Sequence, residues 1–261
     1  MPDITDINGV ALSSITDING VAKANITDIN GISAGASGGS DIAFSDITYS
    51  SFDRTISSSN PFDVDLPTTA ASGDFVMVFY AVDFTWDGNR TTTPSGWTLI
   101  QHVGDRDTDV HIHAYTRVFD GTEGSTVPIS PQSLWGGGGN AWSMVVENID
   151  TSDPVGAITT ETERYGYDLD IPAATSAGAG TFVVFVGYDG ADGDPITSSN
   201  DAGFTLTVGG GADVPVGGGG THVTSGWRYS AIGANTSTGD TTISFNRSDG
   251  RAGMQLLLQR A

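Results

Sequence analysis

Cysteine is absent from the 261 residues, which excludes a disulfide framework, thiolate metal sites and a cysteine nucleophile. Basic residues are scarce: 10 lysines and arginines stand against 31 aspartates and glutamates, a formal net charge of −21. So acidic a surface repels phosphate backbones and anionic lipid, so no nucleic acid and no membrane is expected as a partner. Long apolar runs are missing too. None reaches the roughly 18 residues of a membrane span, and the opening MPDITDING has neither the basic region nor the apolar core of a secretory signal. The expectation is a protein made in a cytoplasm. Glutamate occurs only at Glu123, Glu147, Glu161 and Glu163. Nothing in the sequence brings two of them together as the carboxylate pair of glycoside cleavage. No G-x-S-x-G elbow, P-loop or H-E-x-x-H is present, and an enzyme is not expected.

What the chain does have is repetition. Residues 4–14 read ITDINGVALSS, residues 15–25 ITDINGVAKAN and residues 26–36 ITDINGISAGA. A fixed period without insertions marks a repeated supersecondary unit. An eleven-residue apolar period can specify a right-handed coiled coil, but glycine costs about 1 kcal/mol inside a helix. Asn-Gly, present in every unit, is a strong hairpin signal. Short extended pieces broken by turns are therefore expected. The apolar anchors are Ile4, Ile7 and Val10, then Ile15, Ile18 and Val21, then Ile26, Ile29 and Ile32. Three such units bury too little surface to fold alone. The segment 1–36 is accordingly expected to attach the chain to a partner or to bundle copies of it. A flexible leader is the alternative, and exact repetition of large apolar residues argues against it.

A Gly/Ser-rich linker, residues 37–44, follows. Residues 45–261 are rich in glycine, serine and threonine, show strand-like alternation and lack an amphipathic helical stretch, so an all-β fold is expected. DFVMVFYAV (74–82) is almost continuously apolar and should be a central strand. DVHIHAYTRVF (109–119) alternates, with Val110, Ile112 and Ala114 on one face and His111, His113 and Tyr115 on the other. The second half, 151–261, restates the first, 45–150. GTFVVFVGY (180–188) answers GDFVMVFYA, AGFTL (202–206) answers SGWTL (95–99), WRYSAI (227–232) answers HIHAYTRV, TGDTTISF (238–245) answers GTEGSTVPIS, and GMQLLLQ (253–259) answers AWSMVVEN. The fold expected is an internally duplicated, jelly-roll-like β-sandwich preceded by the extended three-repeat segment. The residues leave open whether the halves form two sheets of one sandwich or two separate sandwiches; with about five strands in each half, one sandwich built from both is the simpler arrangement.

Gly73-Asp74, PSGWT at 94–98, YTRVFDGTE at 115–123 and the strand of residues 141–150 together resemble a module of phage and prophage tail and minor structural proteins. The TDINGV repeats look like short repeats in structural proteins of phages and of gene-transfer-like particles from marine bacteria. The resemblance covers roughly residues 70–150, with a weaker echo toward the end of the chain. It implies a virion protein partnered by other tail or capsid proteins, assembled as a homotrimer and reaching the exterior on the particle. A tail fibre or receptor-binding protein that holds a host surface glycan is the leading reading. A capsid decoration protein or head fibre whose repeats staple capsid subunits is the alternative. The resemblance brings no catalytic residues.

Candidate binding residues are few. Trp86, Trp135, Tyr165, Tyr167 and Trp227 fall in or near expected loops and are the candidate glycan contacts, whereas Trp97 and Trp142 should fill the core. The glycine runs at 136–139 and 217–220 are expected in loops at a sandwich end. His111 and His113 have ligand-like spacing but no identifiable third ligand, and are expected on a solvent-facing strand side. Asp189, Asp192 and Asp194 gather oxygen ligands of the kind Ca²⁺ takes, without the EF-hand spacing; solvated turns are the simpler reading of these and of Asp105, Asp107 and Asp109. No other cofactor is expected.

Overall fold

The computed structural model describes residues 6–7, 10–11, 17–18, 21–22, 28–29, 32–33, 41–52, 61–83, 91–104, 108, 110–131, 139–189, 198–199, 223–245 and 250–261. Among them there are strands and no helix.

Each repeat carries one short antiparallel pair: β1 (Asp6–Ile7) with β2 (Val10–Ala11), β3 (Asp17–Ile18) with β4 (Val21–Ala22), and β5 (Asp28–Ile29) with β6 (Ile32–Ser33). Ile7 pairs with Val10, Ile18 with Val21 and Ile29 with Ile32. Only an Asn-Gly dipeptide separates each pair in sequence, the connection length and composition that suit twisted two-residue hairpins. Ile4, Ile15 and Ile26 lie outside the described residues.

The first half contributes β7 (Ala43–Phe52), β8 (Phe62–Asp65), β9 (Phe75–Asp83), β10 (Thr91–Thr92), β11 (Thr98–Val103), β12 (Val110–Val118), β13 (Thr126–Pro131) and β14 (Gly139–Glu147). The second contributes β15 (Val155–Glu163), β16 (Asp168–Ile171), β17 (Gly180–Asp189), β18 (Ser198–Ser199), β19 (Val223–Ile232), β20 (Thr241–Ser244) and β21 (Arg251–Gln259). Each half forms a large and a small antiparallel sheet. In the first half the orders are β7-β14-β9-β12-β11 and β8-β13-β10; in the second they are β15-β21-β17-β19 and β16-β20-β18. Strand for strand these orders coincide, with β11 the one strand lacking a counterpart among the described residues; the sequence match to it, 202–206, lies outside them. The ordered fold begins ahead of residue 45: Ile42 is buried and β7 starts at Ala43.

Three apolar cores separate four layers. Val64 and Ile129 of the first small sheet meet Val76, Val78 and Tyr80 of the first large sheet. Met77, Phe79, Ile112, Trp142 and Met144, on the opposite face of that sheet, meet Val183, Phe185, Trp227, Met254 and Leu256. Behind those, Val184, Val186 and Leu257 meet Leu169, Ile171 and Ile243 of the second small sheet. The simpler expectation of one sandwich shared by the halves is therefore replaced: each half is its own two-layer sandwich, and the two stack through their large sheets. At that junction a Cβ on Gly187 would stand 2.6 Å from Ile112 Cγ2, so glycine is what lets β17 approach β12. Polar contacts cross the same junction. The Asn140 amide donates to the Val223 carbonyl at 2.9 Å, the Trp142 indole N–H donates to Ser225 Oγ at 3.1 Å, and Ser225 in turn donates to Asn140 Oδ1.

The stacking changes the reading of β12. Its alternation suggests one wet face, yet His111 and His113 are buried at 1% and 0% exposure. Both faces of a large sheet lie inside a four-layer stack, so alternation here separates two interiors instead of inside from outside. The apolar face fills the central core, and the more polar face packs toward the small sheet.

Candidate functional site

The segments around Gly73-Asp74, residues 94–98 and residues 115–123 meet at one place. The Gly73 N–H donates to the Phe119 carbonyl at 2.8 Å, and the Phe119 N–H donates to the Asp74 carbonyl at 2.9 Å. Arg117, near the end of β12, ion-pairs with Glu123 at 2.8 Å and with Asp120 at 3.2 Å. Glu123 also accepts the backbone N–H groups of Asp120 and Gly121, each at 2.9 Å. Partial burial raises the Glu123 carboxyl, but those backbone donors and Arg117 outweigh it and hold the carboxyl below its ordinary 4.5. Trp97 packs edge-on against Phe119, with ring centroids 6.3 Å apart. These residues form a clasp that closes one sandwich edge. Beside it lies a groove of about 590 Å³, bordered by Asp65, Leu66, Phe119 and Glu123. The other glutamates are also placed. Glu147 accepts the Ser45 hydroxyl at 2.6 Å, Glu161 the Thr162 N–H at 3.1 Å, and Glu163 the Tyr165 N–H at 3.1 Å.

The histidines form a cluster that linear spacing hides. Antiparallel pairing sets His102 of β11 opposite His113 of β12. His102 Nε2 lies 2.9 Å from His111 Nδ1. The His102 ring is 4.6 Å from that of His113 and 5.2 Å from that of His111, the latter pair within 15° of parallel. His113 continues the stack onto Tyr115 and touches Tyr80, both at 5.8 Å. Reading β11 as the neighbour of β12 would have exposed the third member. The rings lie broadly face to face, and among the described residues no group of three or more histidine, cysteine or acidic side chains could hold a metal ion.

The candidate aromatic contacts separate. Trp227 is a correction: it sits within β19 at 2% exposure, against Phe44 at 5.4 Å and Phe79 at 6.4 Å. Its place in the second large sheet points it into the central core, where no ligand reaches it. Tyr165 and Tyr167 are the opposite case, 68% and 61% exposed on the turn between β15 and β16. That turn is held from below. Arg251, fully buried on β21, donates to the Gly166 carbonyl and, at 3.1 Å, to the Asp168 carbonyl. The Phe245 N–H donates to the Tyr167 carbonyl at 2.6 Å. Above, the Arg164 guanidinium lies 4.9 Å from the Tyr165 ring centre. Trp97 and Trp142 are core residues at 8% and 2% exposure. Trp86, Trp135, Asp192, Asp194, Asp105, Asp107 and Asp109 lie outside the described residues, as does the glycine run at 217–220; Asp189 is described only as the last residue of β17.

No protein-family model matches the chain, and no curated protein or solved structure matches it significantly. The chain's chemistry is therefore read from its own residues: a clasp of satisfied charges, a buried imidazole stack, and an anchored turn carrying two exposed phenol rings.

Proposed function

We propose that this chain is a structural protein of a tailed-phage virion, displayed on the particle surface as a tail fibre or receptor-binding protein. The observation that carries the reading is the pairing of two unlike parts. Three hairpins at an exact eleven-residue period precede a four-layer β-stack whose motif residues are spent on holding turns. A two-residue-armed hairpin cannot stand alone in water, so three in series make sense as a segment completed by neighbours, either further copies of the chain or another particle protein. The stack supplies a stiff body for presentation, and a charge of −21 keeps such a body soluble at high local copy number. Three copies bundled through the repeats is the assembly this reading favours. On this reading the stack's role is presentation and adhesion, without turnover of what it holds.

Immunogold labelling of intact particles, with antibody raised against residues 45–261, tests it. Gold at the tail tip or fibres is the expected result. Gold over the head would move the assignment to capsid decoration, and unlabelled particles would overturn the virion reading. A second sample lacking residues 1–36 should fail to incorporate.

A further inference from the structure

We infer that the turn between β15 and β16 is a carbohydrate-binding site, with Tyr165 and Tyr167 as its stacking platform and a neutral polysaccharide as its ligand. The inference rests on the display reading above for its biological setting, and on the turn itself for its chemistry. Single exposed aromatics are ordinary, but two of them about two-thirds exposed on one short turn, with Arg164 over one ring, concentrate apolar surface where a contact can use it. Here the exposure is built in. Arg251 is fully buried, its guanidinium reaches up through the fold to two carbonyls of the turn, and its charge lies 5.1 Å from the centre of the Phe245 ring. Placing a charge at that depth to fix a surface loop makes sense when the loop must keep one shape. A loop already ordered loses less entropy when a ligand arrives.

The groups around the rings select the class of ligand. Tyrosine presents a flat apolar face with a polar tip, which suits the C–H face of a sugar ring flanked by hydroxyls. Glu163 Oε1 accepts the Tyr165 N–H at 3.1 Å and Asp168 Oδ1 accepts the Ser244 hydroxyl at 2.6 Å, so the second oxygen of each carboxylate is the acceptor offered to a ligand hydroxyl, and the Arg164 guanidinium over Tyr165 is the nearby donor group. A polyol, each of whose hydroxyls both donates and accepts, can use both signs at once. An anionic polysaccharide would face the field of a chain carrying −21. A basic peptide would meet Arg164, whose guanidinium already lies over Tyr165. A second copy of this chain would bring the same acidic surface against itself.

Affinity electrophoresis tests the inference, since so acidic a protein migrates readily in native gels. The full chain is run through gels containing dextran, mannan or galactomannan, with alginate as the anionic counterpart. Retardation in at least one neutral gel is expected. It should fall at least tenfold, as apparent affinity, in the double variant Tyr165→Ala/Tyr167→Ala, whose thermal midpoint should match the parent because neither ring is buried. No retardation in any neutral gel, retardation by alginate alone, or equal retardation of the double variant would each overturn it. The assay uses free protein, so its failure leaves the particle labelling untouched. Conversely, unlabelled particles beside a retarded band would overturn the display reading and leave the sugar site standing.

Discussion

The guanidinium of Arg117 occupies the space that a side chain on Gly96 would need: a Cβ there would stand 2.5 Å from Nη1. Gly96 also has φ of +80°, where residues other than glycine are strained. The turn before β11 and the turn after β12 are thus two sides of one fit, and Glu123 completes it by holding Arg117 from the far side at 2.8 Å.

Gly96→Ala should therefore disturb both turns. Backbone strain plus displacement of the guanidinium predicts a loss of about 1–3 kcal/mol, read as a lower urea midpoint with an unchanged slope. Arg117 meets both Glu123 and Asp120 through Nη2 while its Nη1 faces Gly96; lysine would keep the charge but not this fixed planar placement, so Arg117→Lys should shift the midpoint in the same direction.

The same clasp gives stability a pH dependence. The carboxyls of Asp120 and Glu123 are held below their ordinary values of 3.8 and 4.5. Hydrogen bonds from Thr122 do this for Asp120, with Arg117 adding to them, while backbone N–H groups and Arg117 do it for Glu123. Below those ordinary values the unfolded chain takes up protons before the folded one does, so the stabilisation is complete above about pH 4.5 and drains away as pH falls through the lowered values. Asp150, lowered from 3.8 by the Ser152 hydroxyl and N–H, acts in the same direction. Thermal melts from pH 6 to pH 2.5 should show a falling midpoint, and Glu123→Gln should flatten the fall while lowering the plateau.

How much of this was legible in the residues depends on what each residue's partner is. The unbroken run 74–82 required a strand covered on both faces, and β9 lies between β12 and β14 with Phe75, Val76, Met77, Val78 and Phe79 all buried. Asn-Gly with flanking Ile and Val pointed to local turns, because a hairpin's partner is only a few residues away. His113 and Trp227 are buried by layers that local alternation does not record. The His113 face of β12 lies with Tyr80 and Tyr115 toward the small sheet of its own half, whereas Trp227 is covered by the first half of the chain. Trp227 opens a stretch, WRYSAI, that is polar enough to read as half-exposed; the Phe44 and Phe79 rings that cover it are more than 140 positions away in sequence. The loop setting of Tyr165 and Tyr167 points to their exposure, whereas nothing local marks their anchor Arg251, since an arginine ahead of an apolar strand looks like a solvent-facing flank.

Trp227 and Tyr165 should accordingly answer substitution in opposite ways. Trp227→Ala empties part of the central core and should cost about 3–5 kcal/mol, enough to lower the melting midpoint by many degrees. Tyr165→Ala should stay within about 0.5 kcal/mol of the parent. Parallel denaturant titrations of the two variants give the comparison directly, and a near-neutral Trp227→Ala would contradict the four-layer packing.

Alkaline conditions test a different part of the fold. The Tyr115 hydroxyl is pushed up to about 12 by burial, against a hydrogen bond with Thr91 that acts to lower it. Tyr80, buried beside it, is also raised well above its ordinary value, by burial and then by the nearness of Tyr115. The folded chain therefore keeps these protons where the unfolded chain, at an ordinary value of 10.0, releases them. Stability is whole below about pH 10 and declines as pH climbs toward 12. Absorbance at the phenolate band should rise incompletely up to pH 11 in the folded protein and complete itself on unfolding. Tyr115→Phe should remove part of the alkaline decline while lowering stability at neutral pH, because the Thr91 hydroxyl, itself buried, loses its partner.

The junction of the two halves carries the last expectation. Its core draws on both large sheets, with Phe79 stacked on Phe185 at 4.7 Å, so neither half can expose its inner face without losing apolar burial. The intact chain should unfold in one calorimetric transition, the ratio of van't Hoff to calorimetric enthalpy lying near one. Gly187→Leu should break that unity. The new side chain has to enter where Ile112 Cγ2 stands 2.6 Å and Val110 Cγ2 3.2 Å from its first carbon, and the large sheets must part to admit it. Overpacking of this kind costs about 1–3 kcal/mol, and here the strain falls on the contact between halves, leaving the outer cores of each intact. Calorimetry of Gly187→Leu should then show an earlier and broader endotherm that resolves into two components. A single sharp transition at the parent temperature would mean that β17 and β12 are not pressed together as the structure has them.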